Sequence, residues 1–199
     1  MKRLLVLANW MQGTALSGGD LIFIELVKRW RDKLDITLFL SAEGVAICQN
    51  HGLTGVKHVV GAVQKFSQRG YLRDYLYRTW NSIMFARKKN LSSLDIIYSS
   101  SDFGPDSIPA FFIKLRHPNV LWVAGFFLFS PTPWQRNSPY KGKKWFLGLF
   151  YWLSQLPLYY LINRFADIIF ITSEPDTSKF INSRRGKDKI IVVRGGVDT

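Results

Sequence analysis

Leu4-Leu5-Val6-Leu7-Ala8 is an apolar run of five that opens into Asn9-Trp10-Met11-Gln12-Gly13-Thr14-Ala15-Leu16-Ser17-Gly18-Gly19-Asp20 and then into a stretch with helical spacing. Apolar residues at successive positions, without alternation, mark a strand covered on both faces. The run is also shorter than a signal-peptide core, which needs about 7 to 15 residues. Beyond Asp20, the residues Leu21, Phe23, Ile24, Leu26, Val27 and Trp30 recur at three- and four-residue steps, with Lys28, Arg29 and Arg31 on the other face. Asp20–Arg31 is therefore predicted as an amphipathic helix. Strand, glycine-containing loop and helix in this order form the opening unit of an α/β sheet.

The pattern continues along the chain. Further buried-strand runs are Ile36–Leu40, Ile96–Ser99 after Asp95, Val120–Ala124 and Ile168–Thr172 after Asp167, with a shorter one at Lys189–Val193 and a weaker one at Val56–Val60. Tyr71–Lys89 carries Leu72, Tyr75, Leu76, Trp80, Ile83 and Met84 at helical spacing. Pro105 and Pro109 are tolerated in a first turn, so a helix is predicted to continue through Ala110–Leu115. Ser173-Glu174-Pro175-Asp176 has the composition of a helix start, predicting a helix to about Asn182. Strands alternating with helices imply a Rossmann-like α/β fold: one domain built on a parallel sheet with helices on both faces. At 199 residues and 47% apolar composition the chain is not disordered. Its single cysteine, Cys48, excludes an internal disulfide and fits a reducing compartment.

Two loops are candidate sites. Gly18 and Gly19 let backbone approach a ligand at a helix N-terminus, although the loop is neither a P-loop, since Gly19 and Asp20 stand where Lys and Ser/Thr belong, nor GxGxxG. Asp20 there would repel a pyrophosphate, and the competing reading is a tight turn with Asp20 near the cap. Ser99-Ser100-Ser101-Asp102-Phe103-Gly104-Pro105-Asp106 follows a strand, and loops at strand carboxyl ends face the ligand crevice of an open parallel sheet. Ser101 and Asp102 are the candidates to meet a hydroxylated ligand, while Asp106 also reads as an ordinary cap residue. Cys48 and His51 are pairable, but His58 and His117 supply no second pair, so no metal site is expected.

The net charge of +13 is concentrated. Ser107–Ala166 holds no acid, yet contains Lys114, Arg116, Arg136, Lys141, Lys143, Lys144 and Arg164. Almost half the aromatics fall between Val120 and Asn163. Cations beside aromatics suit an anionic membrane surface or nucleic acid. These aromatics are interleaved with Leu and Ile rather than with Lys and Arg, and no nucleic-acid motif is visible, which favours the membrane. Within the segment, Trp145–Asn163 is 19 residues without charge. Pro157, the adjacent Ser154 and Gln155, and the scattered Trp and Tyr argue against a membrane span. A buried helical hairpin or an element lying in the membrane interface remains, with Trp134, Lys141, Lys143, Lys144 and Trp145 as interface candidates.

The ordered set Ser17-Gly18-Gly19-Asp20 with Glu25-Leu26, Asp95-Ile96-Ile97-Tyr98-Ser99, Ala166–Glu174 and Val192-Val193-Arg194-Gly195-Gly196-Val197-Asp198 resembles the N-terminal, acceptor-side domain of GT-B fold, family 4 (glycosyl transferase group 1) glycosyltransferases. The resemblance implies metal-independent sugar transfer from a nucleotide-sugar donor to an acceptor hydroxyl, with anomeric retention and no cofactor. It further implies that the donor is held mainly by a second domain absent from this chain, so that these residues alone should bind acceptor without turning over donor. Gly18 and Gly19 transfer by position to the sugar or phosphate crevice, and Ser101-Asp102 to the acceptor side. Where the family often carries a histidine, this chain has Gly125-Phe126-Phe127, so the catalytic residues are left unassigned. The expectation is a cytoplasmic, peripheral membrane enzyme of cell-envelope or polysaccharide biosynthesis acting on a glycan or lipid-linked acceptor. A non-catalytic scaffold or partner subunit and a basic nucleic-acid-binding module are the alternatives.

Overall fold

The computed structural model describes residues 1–11, 16–61, 70–88, 91–136 and 138–194. Gly13 of the first loop, Lys89 at the predicted helix end and Gly195-Gly196-Val197-Asp198 lie outside the described residues.

Seven strands, β1 (Lys2–Ala8), β2 (Leu34–Leu40), β3 (Lys57–Val60), β4 (Ile96–Ser99), β5 (Leu121–Gly125), β6 (Ile168–Ile171) and β7 (Ile190–Val192), form one sheet in the order 3-2-1-4-5-6-7. Every pairing is parallel. The central strands are the predicted apolar runs, buried on both faces, and β3 is an exposed edge. Helices α1 (Gly18–Trp30) and α2 (Ala42–Asn50) cover one face, where Phe23, Ile24, Val27, Ile47 and Cys48 pack on Leu4, Val6, Leu38 and Tyr98. Helices α3 (Tyr71–Lys88), α4 (Gly104–Arg116), α5 (Trp145–Phe165) and α6 (Thr177–Phe180) cover the other. There Ala86, Ala110, Ile113, Ile162 and Phe180 pack on Leu5, Leu7, Ile97, Trp122 and Ile169. The Rossmann-like α/β fold is thus the one the periodicity predicts.

Four local expectations change. Helix α1 starts two residues early because Ser17 is the N-cap: its hydroxyl accepts from the Asp20 amide and the Asp20 carboxylate accepts from the Ser17 amide, a reciprocal capping box. Helix α2 was not expected. It is short and contains Gly44, whose close approach to Met11 leaves little room for a side chain, and Ser41 caps it by accepting from the Gly44 amide at 2.9 Å. The helix predicted from Ser173 to about Asn182 is only a 3-10 turn, Glu174–Asp176, followed by the single turn α6, with no side-chain cap from Ser173. It stops because Asn182 and Arg185 pair back to back, and the Arg185 guanidinium runs beneath to donate to the Ile162, Asn163 and Ala166 carbonyls at the end of α5.

The fourth is the hairpin reading of Trp145–Asn163. This stretch lies within one continuous helix of 21 residues, α5, carried through Pro157. Proline removes one intrahelical donor and does not force a reversal when packing holds both halves in line. No helix among the described residues is long and apolar enough to cross a membrane.

Candidate functional site

The order 3-2-1-4-5-6-7 reverses direction between β1 and β4, and the loops leaving their carboxyl ends diverge there. A cavity of about 830 Å³ opens at this point. Its walls are the N-terminus of α1 (Ser17, Gly18, Gly19, Asp20), the β4–α4 loop (Ser100–Phe103), Phe127 and Leu128 after β5, and one side of α5 (Tyr151, Ser154, Gln155, Leu158). Gly18, Gly19, Ser101 and Asp102 are therefore brought together on one cavity. The two glycines differ. A Cβ on Gly18 would meet open space, whereas one on Gly19 would stand 2.8 Å from the Phe127 ring, so close ring approach is what excludes a side chain at 19.

Three carboxylates line the cavity, and among the described residues its lining contains no Lys, Arg or His although the chain is strongly basic. Asp20 is held in the capping box, its Oδ2 2.6 Å from the Ser17 hydroxyl, and burial raises its pKa. The cap reading of Asp20 is thus correct and coexists with a place on the cavity wall. Asp106, in the first turn of α4, accepts from the Ser101 hydroxyl at 2.5 Å and the Trp10 amide at 3.1 Å. Burial nevertheless pushes it up to about 7 against those donors. Asp102 accepts from Gln155 Nε2 at 2.6 Å, and burial pushes it up to about 6. A buried carboxylate without a cationic partner holds its proton more tightly, which is why these two titrate near neutrality.

Residues the sequence reading missed hold this site in shape. Arg78 of α3, fully buried, donates to Asp74 at 2.6 Å, to Glu43 at 2.8 Å and to the carbonyls of Asn9 and Met11 at 3.0 and 2.8 Å, fixing the chain as it leaves β1. The Asn9 side chain returns the contact, donating to Ser82 and to the Arg78 carbonyl. Trp10 packs between Tyr71, Tyr75 and Phe103 with its ring edge-on or tilted to theirs. Gln155 reaches three ways: it donates to Asp102 and to the Leu128 carbonyl and accepts from the Ser130 amide at 2.7 Å. The Ser154–Gln155 polar pair that interrupts the apolar run is the cavity side of α5. The interface candidates lie elsewhere: Trp134, Lys141, Lys143 and Lys144 are exposed and Trp145 is half-buried. Among the described residues no group of His, Cys, Asp and Glu could hold a metal.

No protein-family model matches the chain, and no curated protein matches it. Solved structures do. HepE of Anabaena in complex with UDP-glucose aligns over all of this chain with a TM-score of 0.55 and 18% identity. MnaA of S. aureus with UDP aligns over 96% with a TM-score of 0.56 and 12% identity, and a UDP-N-acetylglucosamine 2-epimerase over 96% with 0.57 and 11%. At such identities the likeness is one of fold. The chain spans 44%, 44% and 47% of the length of these three proteins, less than half of each.

Proposed function

We propose that this chain is the acceptor-side half of a nucleotide-sugar-dependent glycosyltransferase of the family 4 type. The observation that carries the reading is the cavity's chemistry: carboxylates, serine hydroxyls and aromatic rings, with no cation among the described residues, at the switch point of the sheet. A diphosphate is poorly suited to such a lining, whereas a sugar or other polyol finds acceptors for its hydroxyls and faces for its rings. The fold shared with the UDP-sugar and UDP complexes supports the same class of chemistry, with the donor contacts residing outside this chain.

In this reading Asp102, ionised above about pH 6, accepts the hydrogen bond of the attacking acceptor hydroxyl and Gln155 holds it in place. Gly18, beside open space, admits the sugar close to the first turn of α1, while Gly19 makes room for the Phe127 ring on the cavity wall. The enzyme would align two substrates between domains and stabilise the departing diphosphate from the other side. The test is a transfer assay on the full reading frame with UDP-glucose and UDP-N-acetylglucosamine in turn, a membrane extract as acceptor source, and EDTA in parallel. Sugar joined to a new hydroxyl with its anomeric configuration retained, insensitive to EDTA, is expected. Epimerised nucleotide sugar with no transfer would replace this reading by that of the epimerases sharing the fold.

A further inference from the structure

Charge is inverted at the cavity. The chain holds 27 Lys and Arg against 14 Asp and Glu, yet the lining takes three of the acids and, among the described residues, none of the bases. Arg78 stands behind the wall, 6.0 Å from the centre of the Trp10 ring, but it is paired with Asp74 and Glu43 and does not reach the lining. Buried carboxylates gathered without a counter-charge at a ligand-sized cavity call for a cation from outside.

The oxygens left free narrow the kind of cation. Both oxygens of Asp106 are taken, Oδ1 by the Trp10 amide and Oδ2 by the Ser100 and Ser101 hydroxyls. Asp20 and Asp102 each have only Oδ2 engaged, by Ser17 and by Gln155. Their Oδ1 atoms accept no hydrogen bond from another described residue, and Asp102 is only 8% exposed, so a donor reaches its free oxygen through the cavity. A buried acceptor without a donor costs free energy until a ligand supplies one. A bare metal ion is not that ligand, because among the described residues no group of acids, histidines and cysteines could hold one. The carboxylates are instead spread over a cavity of about 830 Å³ whose walls also carry the Phe127, Tyr140 and Tyr151 rings. Such walls suit an organic cation, since ring faces attract an ammonium and carboxylates accept its N–H donors.

We propose that the cavity selects an amino sugar with a free, protonated amine, whose ammonium donates to Asp20 Oδ1 in the field of Asp106 while a hydroxyl of the same molecule donates to Asp102. Asp20 then serves twice, Oδ2 closing the capping box and Oδ1 meeting the ligand. That this amino sugar is an acceptor rests on the sugar-transfer reading; the selection of a cation does not.

Titration of this chain at about pH 7 with methyl glucosaminide, its N-acetyl derivative and methyl glucoside, followed by calorimetry and by the Trp10 indole resonance, tests the proposal. The net charge of +13 repels a cationic ligand from the surface at large, so saturable binding of the glucosaminide reports the cavity. The glucosaminide is expected to bind about tenfold or more tighter than either neutral glycoside, an advantage that shrinks as salt is raised. Asp20→Asn, which keeps an oxygen for the Ser17 amide, should bring the ratio of affinities to within about twofold, and Asp106→Asn should lower it in the same direction. The comparison of the free with the acetylated amine needs no variant, so it stands even if Asp20→Asn unfolds α1. Equal affinities for the three glycosides, tighter binding of the acetylated form, no saturable binding, or a preference that Asp20→Asn leaves intact would each overturn the proposal. Equal affinities strike the amine alone and leave sugar transfer to its own assay, whereas an amine preference without transfer strikes the transfer reading and leaves the cation site standing.

Discussion

Asp106 shows what a single side chain can reveal about this site. Its carboxyl is 1% exposed and accepts from the Ser100 and Ser101 hydroxyls and the Trp10 amide but, among the described residues, from no cation, so the folded protein keeps its proton up to about pH 7. The unfolded chain releases that proton near pH 4. Folding takes up a proton between those values, so this group's contribution to stability is complete below about pH 4 and declines as pH climbs to about 7. Asp106→Asn keeps an oxygen for the Trp10 amide and abolishes the titration. Its melting temperature should gain on the parent between pH 5 and pH 8, by the equivalent of about 1 kcal/mol or more; parallel pH profiles would refute the assignment. Gly18, Gly19, Ser101 and Asp102 were readable in the sequence because glycines and short polar residues directly after buried-strand runs fall at strand carboxyl ends. Arg78 and Gln155 were not: beyond the Asp74 pair within α3, the site contacts of Arg78 to Asn9 and of Gln155 to Asp102 span 69 and 53 residues, and such pairings are set by the topology, not by any local pattern.

Among the elements, α5 carries the most information. Its sequence could be read as a near-span, a hairpin or an interface helix because a long uncharged run has no single polar side. The structure resolves this by giving the helix two distinct faces, one turned to the cavity through Ser154 and Gln155, the other outward through Phe146, Leu153 and Tyr160. Gln155→Leu would make the run uniformly apolar. It should destabilise the protein by about 1 to 3 kcal/mol in urea titration, since the Ser130 amide loses its acceptor. It should also raise the Asp102 pKa above about 6, because the lost amide donor favoured the charged form. An unchanged Asp102 titration, followed by its side-chain carbonyl resonance, would show that the bridge is incidental. The strands were legible because burial on both faces leaves successive apolar residues. The helix after Ser173 was overestimated because local capping chemistry there is overruled by Arg185, which folds back to cap α5.

At the scale of the molecule, charge is segregated. The turn leading into α5 exposes Lys141, Lys143 and Lys144, while the cavity is lined by Asp20, Asp102 and Asp106 without a cation among the described residues. The sequence disclosed the cationic turn before α5, since Ser107–Ala166 is a contiguous acid-free segment. The second half of this arrangement is assembled from residues 10 to 172 and becomes visible only when the switch point gathers the loops. The central claim, that this cavity receives the hydroxylated head of an acceptor, is tested most directly by amide and indole NMR of this chain titrated with an alkyl glucoside. Saturable shifts are predicted at Gly18, Gly19 and the Trp10 indole, strengthening as pH rises through about 6 and lost in Asp102→Asn with its melting temperature preserved. Shifts confined to surfaces away from these residues, or unchanged in Asp102→Asn, would contradict the account.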